Sequence, residues 1–103
     1  MELFNIPNTD IPSPKFRSCG NTGFQMTFSN GWTISVQFGQ FNYCSNKNCE
    51  DTKRTVECVN AEVAVFGPDG ILVRPDGFGF TDDVKGHVST DEVSRLIGWI
   101  SAQ

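Results

Sequence analysis

Histidine is nearly missing from this chain of 103 residues: His87 is the only one. A Cys–His nucleophilic pair would therefore have to be built around that single imidazole. It stands just before a helix start, where a lone histidine reads as a structural or surface residue. Positive charge is also scarce, with eight Lys and Arg against twelve Asp and Glu, a formal net charge of −4. The basic residues are scattered rather than striped, which argues against direct nucleic-acid binding, because phosphate contacts need clustered cations. No run approaches the roughly 20 apolar residues of a membrane span, so no membrane partner is expected. Met1-Glu2-Leu3-Phe4-Asn5 carries no basic region followed by an apolar stretch, so no secretory signal is read there. A cytoplasmic, reducing setting is expected, in which disulfides are rare. Internal repeats and low-complexity tracts are also lacking, and no motif implies a cofactor.

What is present suits one domain with one modest core. Apolar residues make up 38% of the chain, and nine Phe and two Trp supply much of their volume, so aromatic packing leads. Residues 1–22 read as an extended arm. Pro7, Pro12 and Pro14 suppress helix and sheet interior there, while Ile6, Ile11 and Phe16 offer anchors to the body. The rest, 23–103, reads as a single α+β domain.

Two hairpins are legible. In "FQMTFSNGWTISVQF" the apolar residues Phe24, Met26 and Phe28, then Trp32, Ile34, Val36 and Phe38, alternate with polar ones, the period of half-buried strands. A two-residue Asn-Gly turn would mismatch the two faces. A three-residue loop ending on a left-handed Gly31 sets Phe24 opposite Val36 and Met26 opposite Ile34. In "AEVAVFGPDGILVRP" Pro68 presets a type I turn and Gly70 takes the left-handed place, so Val65 faces Val73. Ala64, Phe66 and Leu72 make the other face of this hairpin apolar as well, and burial on both sides is the expectation.

Residues 76–88 read as a glycine-rich connector. The closing segment "STDEVSRLIGWISAQ" reads as a helix. Ser89 and Glu92 have capping-box spacing, and Val88 and Val93 fit the hydrophobic staple. Val93, Leu96, Ile97 and Ile100 share one face. Asp91 and Glu92 favour the dipole at the first turn, while Gly98 weakens the helix by about 1 kcal/mol relative to alanine. So short a helix needs a sheet to lie on. The expected fold is an α+β antiparallel sheet of about four or five strands with this one C-terminal helix across a face.

Three of the four cysteines fall in the polar stretch "FNYCSNKNCEDTKRTVEC". Zinc sites of high specificity use C-x2-C pairs, with or without H-x3-5-H, and none occurs, so no metal is assigned. A metal set, were there one, would be Cys19, Cys44, Cys49 and Cys58, with His87 in reserve. A Cys44–Cys49 or Cys49–Cys58 disulfide is the alternative, discounted for compartment. The preferred reading is a polar loop in which Cys44 packs beside Tyr43 and the later members are free thiols. Asp76, Asp82 and Asp83 lack calcium-loop spacing and read as a solvated turn. Gly77 and Gly79 lack the Lys-Ser/Thr of a phosphate loop. One binding arrangement stays open: Tyr43, Phe78, Phe80 and Trp99 as an aromatic wall for a base, with Arg74, Lys85 or Arg95 closing on phosphates. The alternative for these rings is core. No catalytic residue is assigned; the partner- or ligand-binding candidates are Tyr43, Arg74, Phe78, Phe80, Asp82, Asp83 and Lys85.

At "NGWTISVQFGQFNYC", "AEVAVFGPDG" and "DDVKGHVSTDEV", over about residues 23–97, the chain resembles small uncharacterised proteins encoded by bacteriophages and some bacteria. Cys49 and Cys58 are not part of that pattern, and it carries no catalytic assignments. The resemblance implies a non-enzymatic accessory factor that binds and inhibits a host protein or complex, such as a defence nuclease in the anti-CRISPR manner. The alternative it leaves is a sponge that sequesters a nucleotide, with a homo-oligomer as its natural form. An enzyme centred on Cys44 or His87 is the third and least supported class.

Overall fold

A computed structural model describes residues 11–50 and 56–103. Residues 1–10 lie outside it, and with them Ile6, Pro7 and the first part of the expected arm; so do residues 51–55 of the cysteine stretch. The described residues form the expected α+β antiparallel fold: strands β1 (Lys15–Ser18), β2 (Gly23–Thr27), β3 (Thr33–Gln37), β4 (Asn60–Phe66), β5 (Leu72–Val73) and β6 (Val84–Ser89), then helix α1 (Thr90–Ser101). The sheet order is β1-β2-β3-β4-β5, with β6 also on β4. Because β3 occupies one edge of β4, β5 and β6 share the other, end to end, and six segments fill five strand positions.

The first hairpin has the register that its alternation demands, Phe24 opposite Val36 and Met26 opposite Ile34. Phe28 N–H donates to the Trp32 carbonyl at 2.8 Å and Gly31 N–H to the Phe28 carbonyl at 2.9 Å. Gly31 has φ +88°, and a Cβ there would also lie 2.6 Å from Ile11, so both conformation and space require glycine. In the second hairpin Val65 faces Val73, and Gly70 closes the turn at φ +80° with its N–H on the Gly67 carbonyl.

Period-two burial is cleanest in β4, where Ala61, Val63 and Val65 are buried and their neighbours half-buried. The buried side chains join Ile34, Val36, Val88, Leu96 and Ile100 in one core. Each fully buried aliphatic side chain contributes about 1.5–3 kcal/mol, which is what holds a helix of twelve residues that would be marginal alone. The opposite sheet face departs from expectation. Ala64, Phe66 and Leu72 are half-buried rather than covered, because the only described helix lies on the other side. Ser35 and Thr27 are buried on that face with their hydroxyls bonded: the Gln37 side-chain amide donates from Nε2 to Ser35 Oγ, and the Thr27 and Thr33 hydroxyls share a bond of 2.9 Å.

Two strands stand where the sequence suggests none. Lys15–Ser18, within the expected arm, pairs with β2 as an edge strand; Pro14 and the charges of Lys15 and Arg17 suit an edge. Ile11 does anchor the chain, against Gly31, but Phe16 is 80% exposed and anchors nothing. The glycine-rich connector also ends earlier than expected, since Val84–Ser89 pairs with β4. That pairing carries a bulge: Ala61 to Val63 on β4 spans Val88 to Lys85 on β6, so β6 holds one extra residue. His87 takes it up at φ +55°.

The helix starts as expected at Ser89, whose Oγ accepts from Glu92 N–H. The reciprocal half of the capping box is replaced: the Glu92 carboxylate bonds Lys85 instead. At the far end Asn30 reaches from the first hairpin turn. Its Nδ2 donates to the Ile100 carbonyl at 2.8 Å while its Oδ1 accepts from Trp32 N–H, fastening turn to helix terminus.

Candidate functional site

Two polar loops hold the expected site residues. The connector from β5 to β6 gathers Arg74, Phe78, Phe80, Asp82 and Asp83, with Lys85 following at the start of β6, and charge pairs close it. Arg74 Nε meets Asp83 Oδ1 at 3.0 Å, with Asp82 at 3.9 Å. Lys85 Nζ lies 2.6 Å from both Glu92 Oε2 and the Phe78 carbonyl. Phe78 and Phe80 pack against the core. Phe78 meets Trp99 edge-on at 6.2 Å, and Trp99 meets Trp32 at 5.8 Å, pairs worth about 0.5–1.5 kcal/mol each beyond burial. The aromatic wall is thus not assembled: these rings face inward, and Tyr43 stands on the other loop. Beside the connector, Gly77, Phe78, Gly79, Lys85, Glu92 and Arg95 line an open cleft of about 520 Å³.

The other loop, residues 38–50, is held by neutral amides. Asn42 Oδ1 accepts from Gly39 N–H and its Nδ2 donates to Glu62 at 2.8 Å. Asn46 Nδ2 donates to the carbonyls of Phe38 and Glu57, and Ser45 N–H to Asn60 Oδ1. The loop reaches past the end of β4 to β6, where the bulge turns His87 N–H onto the Tyr43 carbonyl at 2.9 Å. Gly86 permits that approach, since a Cβ there would lie 2.7 Å from Tyr43 Cβ. His87 is exposed, and among the described residues no hydrogen bond joins its ring to a thiol.

With its amides turned inward, this loop turns its rings outward. Phe41 is 85% exposed and Tyr43 57%, and Val59, beside the Asn60 that holds Ser45, is 76% exposed. Lys47 Nζ stands 4.8 Å over the Tyr43 ring. Exposed apolar side chains grouped at one end of a small domain mark interaction surfaces more often than isolated ones do. Sequence reading named Tyr43 but missed Phe41 and Val59. The available signal was an aromatic set between the turn residues Gly39 and Asn42, with no strand period to bury it.

All four cysteines are free thiols. They do not come together as one ligand set. Cys19 accepts from Gln37 Nε2 beside Ser35, Cys49 is exposed, and among the described residues no three His, Cys, Asp or Glu gather. Cys44 and Cys58, a pair the sequence did not suggest, lie on two stretches that Ser45 N–H to Asn60 Oδ1 and Asn46 Nδ2 to the Glu57 carbonyl hold side by side, and each shifts the ionisation of the other. Burial pushes the Cys44 thiol up, with Cys58 and Glu62 adding to the rise and the Asn46 amide opposing it. At Cys58 burial also pushes upward, but the amide of Asn60, the Cys44 thiol and the amides of Asn46 and Ser45 outweigh it, so this thiol ionises below its ordinary value.

Among the described residues no helix is long and apolar enough to cross a membrane. No protein-family model matches this chain, and neither the curated proteins nor the solved structures contain a significant match to it.

Proposed function

We propose that this chain is a non-catalytic binding protein that docks on a partner protein through the end of the sheet bearing Phe41, Tyr43 and Val59. The single observation that carries this reading is the outward display of Phe41 and Tyr43 on a loop whose polar groups are already bonded, with Val59 exposed just before β4. Aromatic side chains on a pre-ordered frame lose little entropy on binding and make favoured anchors. The net charge of −4 and the exposed Glu50 and Glu57 beside the loop suit a partner with a basic rim. The resemblance to small phage-encoded proteins supports a host protein as the partner, and inhibition of a host defence complex as the outcome. The test is to isolate the partner from host lysate, purify it, and titrate it calorimetrically with the wild-type chain and with Phe41→Asp. A saturable complex, weakened at least about tenfold by the substitution and weakened by salt, is expected. Equal affinity of the two chains would remove the loop from the interface.

A second reading, nucleotide sequestration, is favoured by the cleft of about 520 Å³ with Phe78, Lys85 and Arg95 on its walls, a size that suits small ligands. It ranks second because Lys85 is already bonded to Glu92. Thermal stabilisation by any nucleotide, lost in Arg95→Ala, would promote it.

A further inference from the structure

Cys58 lies where two stretches of chain run side by side. Residues 44–46 run beside 57–60, joined by Ser45 N–H to Asn60 Oδ1 at 2.8 Å and Asn46 Nδ2 to the Glu57 carbonyl at 2.9 Å. Cys58 Sγ sits in that seam, 3.9 Å from Asn60 Oδ1, among the backbone amides of Asn60, Asn46 and Ser45. It is partly exposed and lies on the walls of two clefts, one of about 220 Å³ under α1 and one of about 340 Å³ beside Val59. Cys44, by contrast, is 2% exposed, with its Sγ directed to the Gly39 carbonyl at 3.5 Å. One thiol is therefore reachable from solvent, in a seam whose amides favour its anion. The other is shielded and stands at the head of the facing stretch, next to Ser45. Reachable thiolates beside a second thiol are the arrangement in which a mixed disulfide is resolved internally.

We propose that Cys58 is a nucleophilic thiol and Cys44 its resolving partner, so that the pair takes up a small disulfide oxidant and closes into a reversible Cys44–Cys58 bridge. In the first step the Cys58 thiolate attacks one sulfur of the oxidant R–S–S–R. A Cys58–S–S–R bond forms and RS⁻ leaves. In the second step the Cys44 sulfur attacks Cys58 Sγ, the Cys44–Cys58 bond forms, and the second R–S group leaves carrying the proton from Cys44. Two protein thiols are oxidised and one disulfide is reduced to two thiols. Added thiol reverses both steps. The bridge ties the loop of Tyr43 to the entry of β4 whatever the loop's partner is, so the inference stands apart from the docking reading.

The test uses the full chain carrying Cys19→Ser and Cys49→Ser, which leaves only this pair, and a neutral disulfide reagent, dithiodipyridine, whose released thione absorbs. The expected result is release of two thiones per chain and a product that retains no reagent and is lighter by two hydrogens. Adding Cys44→Ser should halve the release and leave one reagent group on Cys58. Adding Cys58→Ser should abolish release from the folded chain, with circular dichroism confirming that the fold persists. Two retained reagent groups, modification of Cys44 in the Cys58→Ser chain before unfolding, or a Cys58 that reacts only in denaturant would each overturn the proposal. In the unsubstituted chain, a digest showing Cys49 rather than Cys44 bridged to Cys58 would do the same.

Discussion

The two polar loops of this domain are built on opposite plans. The connector over residues 74–83 is closed by Arg74–Asp83 and by Lys85 of β6, which bonds both the Phe78 carbonyl and Glu92 of α1, and it turns Phe78 inward against Trp99. The loop over residues 38–50 spends the neutral amides of Asn42 and Asn46 on its own backbone and on β4, and turns Phe41 and Tyr43 outward. Both look like binding loops when read as strings of aromatic and polar letters. What separates them is where the partner of each side chain lies. Glu92 and Trp99 sit beyond β6 and satisfy the connector, whereas nothing among the described residues covers Phe41.

The difference can be broken first at Trp99. Trp99→Ala removes the ring that holds both Phe78 and Trp32, and should cost about 3–5 kcal/mol in chemical denaturation while loosening the connector more than the amide-held loop in hydrogen exchange. Gly86→Ala strikes the other side. Its Cβ would meet both the Tyr43 Cβ and the Tyr43 carbonyl oxygen at under 3 Å, so a shift of backbone is unavoidable. A loss of about 1–3 kcal/mol is expected, with Gly86→Ser no better. The smallest effects grade the two ion pairs of the connector. Lys85→Met should cost about 1–2 kcal/mol, since it strands a mostly buried Glu92. Arg74→Ala should cost under about 0.5 kcal/mol, because Arg74 and Asp83 are about half exposed. Equal losses for these two variants would mean that burial does not set the value of either pair.

The same contrast explains what the sequence disclosed. Hairpin register was legible at Phe24, Met26, Ile34 and Val36, because period-two alternation and a left-handed glycine are local signals that agree. The helix was legible from Ser89 and from the spacing of Leu96 and Ile100. Strand β6 was not, because "VKGHVS" alternates poorly and owes its pairing to β4, far back in the chain, with a bulge at His87 breaking the period. Strand β1 was hidden by flanking proline and by its brevity. Five of the seven expected site residues do share a loop, and Lys85 follows them at the start of β6. Whether each was free to bind depended on contacts with Glu92 and Trp99 that no local pattern encodes. That the Cys44 stretch runs beside the Cys58 stretch was illegible for the same reason: it arises from Asn46 and Asn60 sewing the two together.

Hydrogen–deuterium exchange of the chain with and without its purified partner tests the docking reading most directly, since it reports both loops in one experiment. Slowed exchange at residues 40–46 and 57–60, with 76–83 unchanged, is the predicted pattern. Protection confined to 76–83, leaving the amides around Phe41 and Val59 untouched, would contradict it.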